Sequence, residues 1–450
     1  MHHRSLPTPA GHPLWGNWQQ YSKNPMQFMV DMCRTYDDAF RIRLATTYIY
    51  VFNRPDMIHE VLAKQANRFH KDRIQKKLLG RFIGNGLTIN DGEPWKRQRR
   101  LIQPAFHAKR LNLYMQEMID QIVHMMSDWQ DGSIIEIHQE MTKVTLNIVA
   151  KVLFGADVAA AHTIASPELY AAIAIFFEKT VGQQAIPFLI PSWLPTSSNR
   201  TLQHVKKMSN RLVLNIIHKR RAVREQTDDL LSMLLLARDE DGSQMTDTQI
   251  RDEVLTILIA GQHTTANALT WTWYLLSQHP ECEAQLLEEI DRVLGKRLPT
   301  MEDFQHLRYA DMVLKEALRL YPSAWLMSRQ ATEDVIVGGY HVPKGTIVAM
   351  SPYVLHRDPR WFEQPEQFRP ERFSEENEKL IPNHVYIPFG SGPHACIGSR
   401  FAMIEESLIV AMVIQRYRLS LVPDQRIELQ PLIGIHPKYG IHMQVHMREE

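Results

Sequence analysis

The residues of greatest chemical interest in this 450-residue chain are one cysteine and the glycines around it, in Phe389-Gly390-Ser-Gly-Pro-His394-Ala-Cys396-Ile-Gly398. A glycine-rich loop delivers Cys396 to the start of an amphipathic segment, residues 397–417. A helix N-terminus stabilises a thiolate through its free N–H groups and its dipole. The glycines let backbone N–H groups approach the sulfur and let a flat group lie beside it, and hydrogen bonds to a ligating sulfur tune a metal's potential. By composition alone, a buried structural cysteine in a tight turn is the better reading.

A second polar cluster sits in an unexpected place. Residues 254–277 carry no Asp, Glu, Lys or Arg, yet they hold Ala260-Gly261-Gln-His263-Thr264-Thr265 and Asn267. Hydropathy alone would make this a membrane span; the glycine and polar residues favour a helix buried in a large protein core. A glycine-containing polar interruption in a buried helix is costly unless something uses it. The other reading, equally weighted, is that the threonine hydroxyls bond back to the preceding turn and bend the helix. Two further pairs lie on shared helix faces: Glu316 with Arg319, three apart among the apolar Val313, Leu314, Leu318 and Leu320, and Trp95 with Arg99, four apart.

These residues need elements to hold them. Thr246-Asp-Thr-Gln249 has the form of a capping box, and helical character then runs without proline to His279, where Pro280 ends it. At ~1.5 Å per residue this helix spans roughly 45–50 Å and crosses the whole molecule. From about residue 56 to 320 the pattern is mostly helical. Phe40, Ile42 and Leu44, then Tyr48, Tyr50 and Phe52, alternate as strands, and residues 335–342 and 346–351 and the tail after Tyr417 read as strand and turn. Strands from both ends of the chain are expected to meet in one small sheet. The fold class is therefore mainly α with a small β lobe, in a single domain over 1–450. The β-rich lobe takes about 20–65, 325–360 and the C-terminal strands, and the helical lobe about 66–320 and 397–417.

Composition sets outer limits. Hydrophobic residues at 44% supply a sizeable core, and charged residues at 22% exclude a disordered chain. A net charge of +1 gives no reason to expect nucleic acid. The three cysteines, Cys33, Cys282 and Cys396, are no disulfide framework, which points to a reducing, cytoplasmic setting. The proline-punctuated N-terminus has no signal-peptide core, so no membrane anchor is expected.

The cysteine segment resembles the haem-binding signature of the cytochrome P-450 family, Phe-x-x-Gly-x-(Arg/His)-x-Cys-x-Gly, at every defined position. Glu316-Ala-Leu-Arg319 is similar to the family's Glu-x-x-Arg helix, Pro370-Glu-Arg372-Phe373 to the segment that locks onto it, Trp95 to Arg99 to its Trp-x-x-x-Arg helix, and Ala260 to Thr265 to its oxygen-binding bend. The resemblance, to a soluble bacterial-type member, covers nearly the whole chain. It implies the family's helical bundle with a long central helix and small mixed sheet, haem b with Cys396 as axial ligand, and O2 as co-substrate. It implies that Trp95, Arg99, Arg329 and His394 bind the haem propionates, that Phe389, Gly390, Gly398, Ala260 and Gly261 border the haem, and that Glu316, Arg319 and Arg372 form a buried ion network. Thr264 matches the threonine that holds a proton beside oxygen. His263 stands where the family usually has an acid, and His394 where arginine is commoner; two readings of His263 stay open with equal weight, an imidazole that replaces the acid in the proton relay and a ring that points into a water channel or packs passively.

The implied reaction inserts one oxygen atom into a C–H or C=C bond. The pocket wall expected from the resemblance is apolar: Phe82, Ile83, Leu87 and Ile89; Ile175, Phe176, Phe177, Ile186, Phe188 and Leu189; Ala324, Trp325, Leu326 and Met327; and Leu432, Ile433 and Ile435. A terpenoid, fatty acid or steroid-like substrate is expected. No fused redox domain is recognised, so electrons are expected from a ferredoxin or flavodoxin-type partner with its NAD(P)H reductase, docking near Lys96, Arg97, Arg100, Lys109 and Arg110. The alternatives are a non-catalytic haem protein that binds an apolar ligand or gas, and a peroxide-driven oxygenase; Thr264 argues for dioxygen.

Overall fold

The computed structural model describes residues 5–155, 175–176, 191, 193–223, 229–238 and 242–448. Its spine is one helix, Asp247–Gln278, of 32 residues. The capping box forms in both directions: Gln249 N–H donates to the Thr246 hydroxyl at 3.2 Å, and Thr246 N–H donates to the Gln249 side chain at 2.9 Å. Pro280 opens the next helix, Pro280–Leu294. The spine is buried from 252 to 259 and from 265 to 273, including Trp271 and Trp273, because helices pack it on several sides: Ile137–Phe154, Ser197–Val223, Arg308–Leu320 and Ser399–Arg416.

The β lobe is a five-stranded sheet in the order β1-β2-β8-β5-β3, where β1 is Ala39–Leu44, β2 Thr47–Phe52, β3 Phe69–His70, β5 Met327–Ala331 and β8 Ile347–Met350. Strands β2 and β8 are parallel and the other pairs antiparallel. Strands β6 (Val335–Val337) and β7 (Tyr340–Val342) form the expected hairpin. This lobe has its own hydrophobic cluster, with Phe52, Met57, Phe69, Val348 and Met350, apart from the larger one around the spine.

Three boundaries differ from the sequence expectation. The tail strands do not join the first sheet. Strands β9 (Tyr417–Leu421) and β12 (His442–Met447) pair with β4 (Ile134–Glu136), and β10 (Leu429–Pro431) with β11 (Ile435–Pro437) makes a separate hairpin. The reason is distance: β9 follows an 18-residue helix, which at ~1.5 Å per residue carries the chain roughly 27 Å away. The β lobe is also preceded by two helices, Trp18–Lys23 and Pro25–Tyr36, the second started by Asn24 accepting from Gln27 N–H and by Pro25 at the first position. The cysteine helix begins at Ser399 with Gly398 as N-cap, so Cys396 lies two residues ahead of the cap instead of immediately before the first helical residue. Among the described residues no helix is long and apolar enough to cross a membrane.

Candidate active site

The cysteine loop is fixed by backbone. Cys396 N–H donates to Phe389 O at 2.9 Å, Ala395 N–H to Gly392 O at 3.1 Å and Gly390 N–H to Ile387 O at 3.0 Å. Gly390 and Gly392 have φ of +73° and +70°, in the left-handed region. At Gly392 an added Cβ would lie 2.0 Å from Leu62 O and 2.9 Å from Ala63 Cα, so glycine is the residue that fits. The Cys396 side chain stays reachable from solvent although protein surrounds most of it. That burial raises the thiol pKa, while the Gly398 N–H and the Arg99 cation pull it back down. No neighbouring atom crowds Gly398, where a Cβ would make an ordinary 3.7 Å contact with Phe106.

Beside this loop the chain gathers several cations, with Asp72 and Asp91 acting on them from farther than ion-pair distance. Trp95 and Arg99 lie on the helix Gly92–Ile102, and Arg99 Nη1 donates to Ala395 O at 2.9 Å. The His394 ring lies against Trp95 with centroids 3.9 Å apart. Arg329, on β5, donates to Ser328 O at 2.7 Å. Lys71, 7% exposed, donates from Nζ to Leu87 O at 2.6 Å and Asn90 O at 2.8 Å. Burial, then Asp91 in opposition, then the repulsion of Arg329 and Lys76 bring the Lys71 ammonium down to about 7. Burial and the cations Lys71, Arg329 and Arg99 hold His394 neutral, at about 4. Among the described residues none of Lys71, Arg99 and Arg329 has a carboxylate at ion-pair distance, and buried His394 Nδ1 has no hydrogen-bond partner. Buried cations normally find a counter-charge within the protein. This cluster therefore fits a ligand bearing carboxylates, next to a reachable cysteine. These residues are compatible with the haem that the resemblance implies: Cys396 would hold the iron, and Trp95, Arg99, Arg329, His394 and Lys71 would face the propionates. Lys71 escaped the sequence reading because a single lysine before a helix carries no pattern.

The spine helix opens at one patch. Between Asp252 and Trp273 the residues with accessible surface are Ala260, Gly261 and Thr264, on one face. Two carbonyls there accept side-chain hydroxyls, Ala260 O from Thr264 at 2.6 Å and Thr264 O from Ser323 at 2.8 Å, and the Thr145 hydroxyl, which lies closest to Met141 O at 2.8 Å, stands 3.2 Å from Gln262 O. The helix stays continuous through this patch. Ser323 also relates the two halves of the site. Four residues on, a Cβ at Gly390 would be 3.7 Å from Met327 Sδ, so a segment of at most ~14 Å joins the patch to the cysteine loop. Behind it, the Glu405 carboxyl on the cysteine helix faces the Thr265 hydroxyl; burial, then Glu406, raise its pKa well above normal.

His263 turns away from the open patch. It is 5% exposed, its Nε2 lies 3.0 Å from Nε2 of His436 on β11, and burial first, then His138, bring its pKa down to about 3. Of the expected pocket wall, Ala324, Leu326 and Ile433 are partly open. Phe82, Leu87, Phe176 and Trp325 are buried; Phe82 stacks on Phe176 at 4.5 Å, and the Trp325 indole donates to Leu432 O at 3.0 Å. These four back the wall. Phe177, Ile186, Phe188 and Leu189 lie outside the described residues.

The frame is the ion network. Glu316 and Arg319 are both fully buried, with contacts of 2.7 and 2.8 Å, and Arg372 reaches Glu316 at 3.2 Å. Arg319 also donates to the carbonyls of His356, Pro365 and Gln367, which ties the helix Arg308–Leu320 to the long connection that leads to the cysteine loop.

The family described as Cytochrome P450 matches residues 6–442. Cyclooctatin synthase of Streptomyces melanosporofaciens is 35% identical over 436 residues, 96% of this chain and 94% of the relative. Cyclooctat-9-en-7-ol 5-monooxygenase of the same organism is 33% identical over 92% of this chain and 89% of its own. Pentalenene oxygenase of Streptomyces avermitilis is 32% identical over 96% and 95%. With the match running from ahead of the first helix into the last strand, and with nearly full coverage of each relative, the chain belongs to the cytochrome P450 family and is an oxidoreductase of its monooxygenase class.

Proposed function

We propose that the protein inserts one oxygen atom from O2 into a C–H or C=C bond of a cyclic, terpenoid-like apolar substrate, with haem b held by Cys396 and electrons drawn from a separate partner. The observation that carries this reading is the solvent-reachable Cys396 beside the Arg99 cation, with Arg329 and Lys71 around the neighbouring His394 and, among the described residues, no carboxylate at ion-pair distance from any of the three. Bound haem with a thiolate ligand supplies the cleavage of the O–O bond.

The chain's own groups do the rest. Arg99 and the Gly398 N–H favour the anionic sulfur. Lys71, Arg99, Arg329 and the Trp95–His394 stack receive the propionates. Ala260 and Gly261 keep the helix face low, and Thr264 holds its hydroxyl proton at the edge of the opening, parked on Ala260 O. Ala324, Leu326 and Ile433 present apolar surface to the substrate, and the residues of the expected wall include no charge. The names of the relatives, which carry cyclooctatin, cyclooctat-9-en-7-ol and pentalenene, favour a cyclic terpenoid over a fatty acid. A ferredoxin or flavodoxin-type partner with its NAD(P)H reductase would dock at the basic face formed by Lys96, Arg97, Arg100, Lys109 and Arg110. A surface cleft of about 330 Å³ there, lined by Trp95, Lys96, Arg99, Arg100, Gln103, Pro104 and His107, reaches the cation cluster from outside.

The test is the reduced, carbon-monoxide-treated holoprotein. The red-shifted Soret band of sulfur ligation is expected in the wild type and lost in Cys396→Ser; its absence from the wild type, or its survival in the variant, would overturn the reading. Product formation from pentalenene that needs reductant and O2 separates the oxygenase from a passive haem protein and from peroxide-driven chemistry.

A further inference from the structure

We infer that His263 is a positioning residue: through His436 it anchors the β10–β11 hairpin, and with it the substrate-facing Leu432 and Ile433, to the central helix one residue from Thr264. The inference rests on the oxygenase reading for its functional meaning and on the hairpin's contacts for its geometry. His263, Asn267 and Trp271 are spaced four apart, so they form one stripe on the helix. The hairpin lies along that stripe. His263 Nε2 meets His436 Nε2 at 3.0 Å, Asn267 Nδ2 approaches the same His436 nitrogen at 3.4 Å, and the Trp271 indole donates to Ile435 O at 2.8 Å. Between them the backbone presses close: a Cβ at Gly434 would be 2.8 Å from Asn267 Nδ2, 2.9 Å from Ser323 O and 3.5 Å from His263 Nε2. Ser323 in turn donates to Thr264 O, and Trp325 to Leu432 O. The wall of the pocket and the polar patch of the helix are thus one hydrogen-bonded unit.

The chemistry of the histidine pair agrees with a tie. A contact between two Nε2 atoms holds one proton, so one ring donates and the other accepts. With Asn267 also donating to His436, His436 Nε2 is the acceptor and His263 carries the proton on Nε2. The His138 ring stands edge-on to His436 at 5.0 Å, and the His263 and His436 centroids are 4.4 Å apart. A charged imidazolium here would face two further imidazoles in a buried site, so the resting pair is neutral. Side chains of successive helical residues leave the axis ~100° apart, and Thr264 sends its hydroxyl to Ala260 O. The His263 Nε2 bond is therefore directed to the hairpin and not to the oxygen side.

The test uses the full-length, haem-loaded protein with His263→Ala, His436→Ala, the double variant and His263→Gln, which keeps a hydrogen-bonding side chain. Two readouts do not depend on turnover: backbone hydrogen exchange over residues 429–437, and binding of the bulky azole clotrimazole by its spectral shift. Loss of one buried hydrogen bond is expected to raise exchange and weaken binding by about tenfold in either alanine variant. The double variant should be no worse than His436→Ala, because His263→Ala breaks only the bond that His436→Ala already removes, and His263→Gln should recover most of both. Unchanged exchange in His263→Ala, or additive losses in the double variant, would overturn the tie. So would a His263→Gln protein that binds normally yet yields as little product per electron as His263→Ala, since that outcome makes the ring a proton donor. A wild type without the sulfur-ligation Soret band would sink the oxygenase reading and leave the exchange result standing.

Discussion

Replacing Glu316 with alanine should destabilise this protein far more than any surface ion pair would. The carboxylate is fully buried and accepts four contacts: two from Arg319 at 2.7 and 2.8 Å, one from Arg369 N–H at 2.9 Å and one from Arg372 at 3.2 Å. Its removal leaves a buried guanidinium whose charge nothing nearby cancels, a loss of about 3–5 kcal/mol. Arg319 keeps three carbonyl acceptors, from His356, Pro365 and Gln367, so the lower half of that range is expected. An unfolding entropy of ~2.1 cal/mol/K per residue gives roughly 0.9 kcal/mol per kelvin for a chain of this size. The expected fall in Tm is therefore about 3–4 °C, read by circular dichroism on the haem-loaded protein. Arg372→Ala, which loses one contact to Glu316 and one to Gln364 O, should cost about a third as much. The double variant Glu316→Ala/Arg319→Ala should cost clearly less than the two singles together, because the fully buried Arg319 charge is no longer stranded and only Arg372 loses its partner. A Glu316→Ala protein within ~1 kcal/mol of wild type, or strict additivity, would refute the view that this network holds the frame of the site.

Three other outcomes follow from the geometry. Gly392→Ala forces a Cβ into Leu62 O at a φ of +70°, so the loop must shift; purified protein should carry much less haem per chain, measured by its absorbance ratio, and full loading would refute the steric argument. Glu406 is buried, its Oε2 has no hydrogen-bond partner among the described residues, and burial raises its pKa to about 8. A carboxyl raised in the folded state contributes its stability below the unfolded value near 4.5 and loses it as pH rises toward 8. Glu406→Gln should therefore gain on the order of 1–3 kcal/mol at pH 8 and almost nothing at pH 4.5, and equal effects at the two pH values in urea unfolding would contradict this. Lys71→Met removes both bonds that hold Leu87 O and Asn90 O; faster hydrogen exchange across residues 85–91 and weaker retention of haem are expected, and a chain unchanged in both would remove Lys71 from the site.

The sequence alone determined what is local or strongly patterned. The capping box and the proline after His279 bounded the central helix to within a residue, because N-caps and proline act through neighbouring backbone groups. The spacing of Glu316 and Arg319 among apolar residues announced a buried pair for the same reason. The cysteine loop could be found, but its residues alone did not exclude a structural turn; the resemblance at every motif position decided that. Tertiary structure decided whatever depends on partners distant in sequence. The tail strands joined β4 because a long helix carried them away from the first sheet. Lys71 came near Arg329 and His394 only through folding. His263, next to the catalytic-type threonine in sequence, found its partner 173 positions later in His436, since a helix sends adjacent side chains ~100° apart and the hairpin that met this one had no reason, in the sequence, to be there.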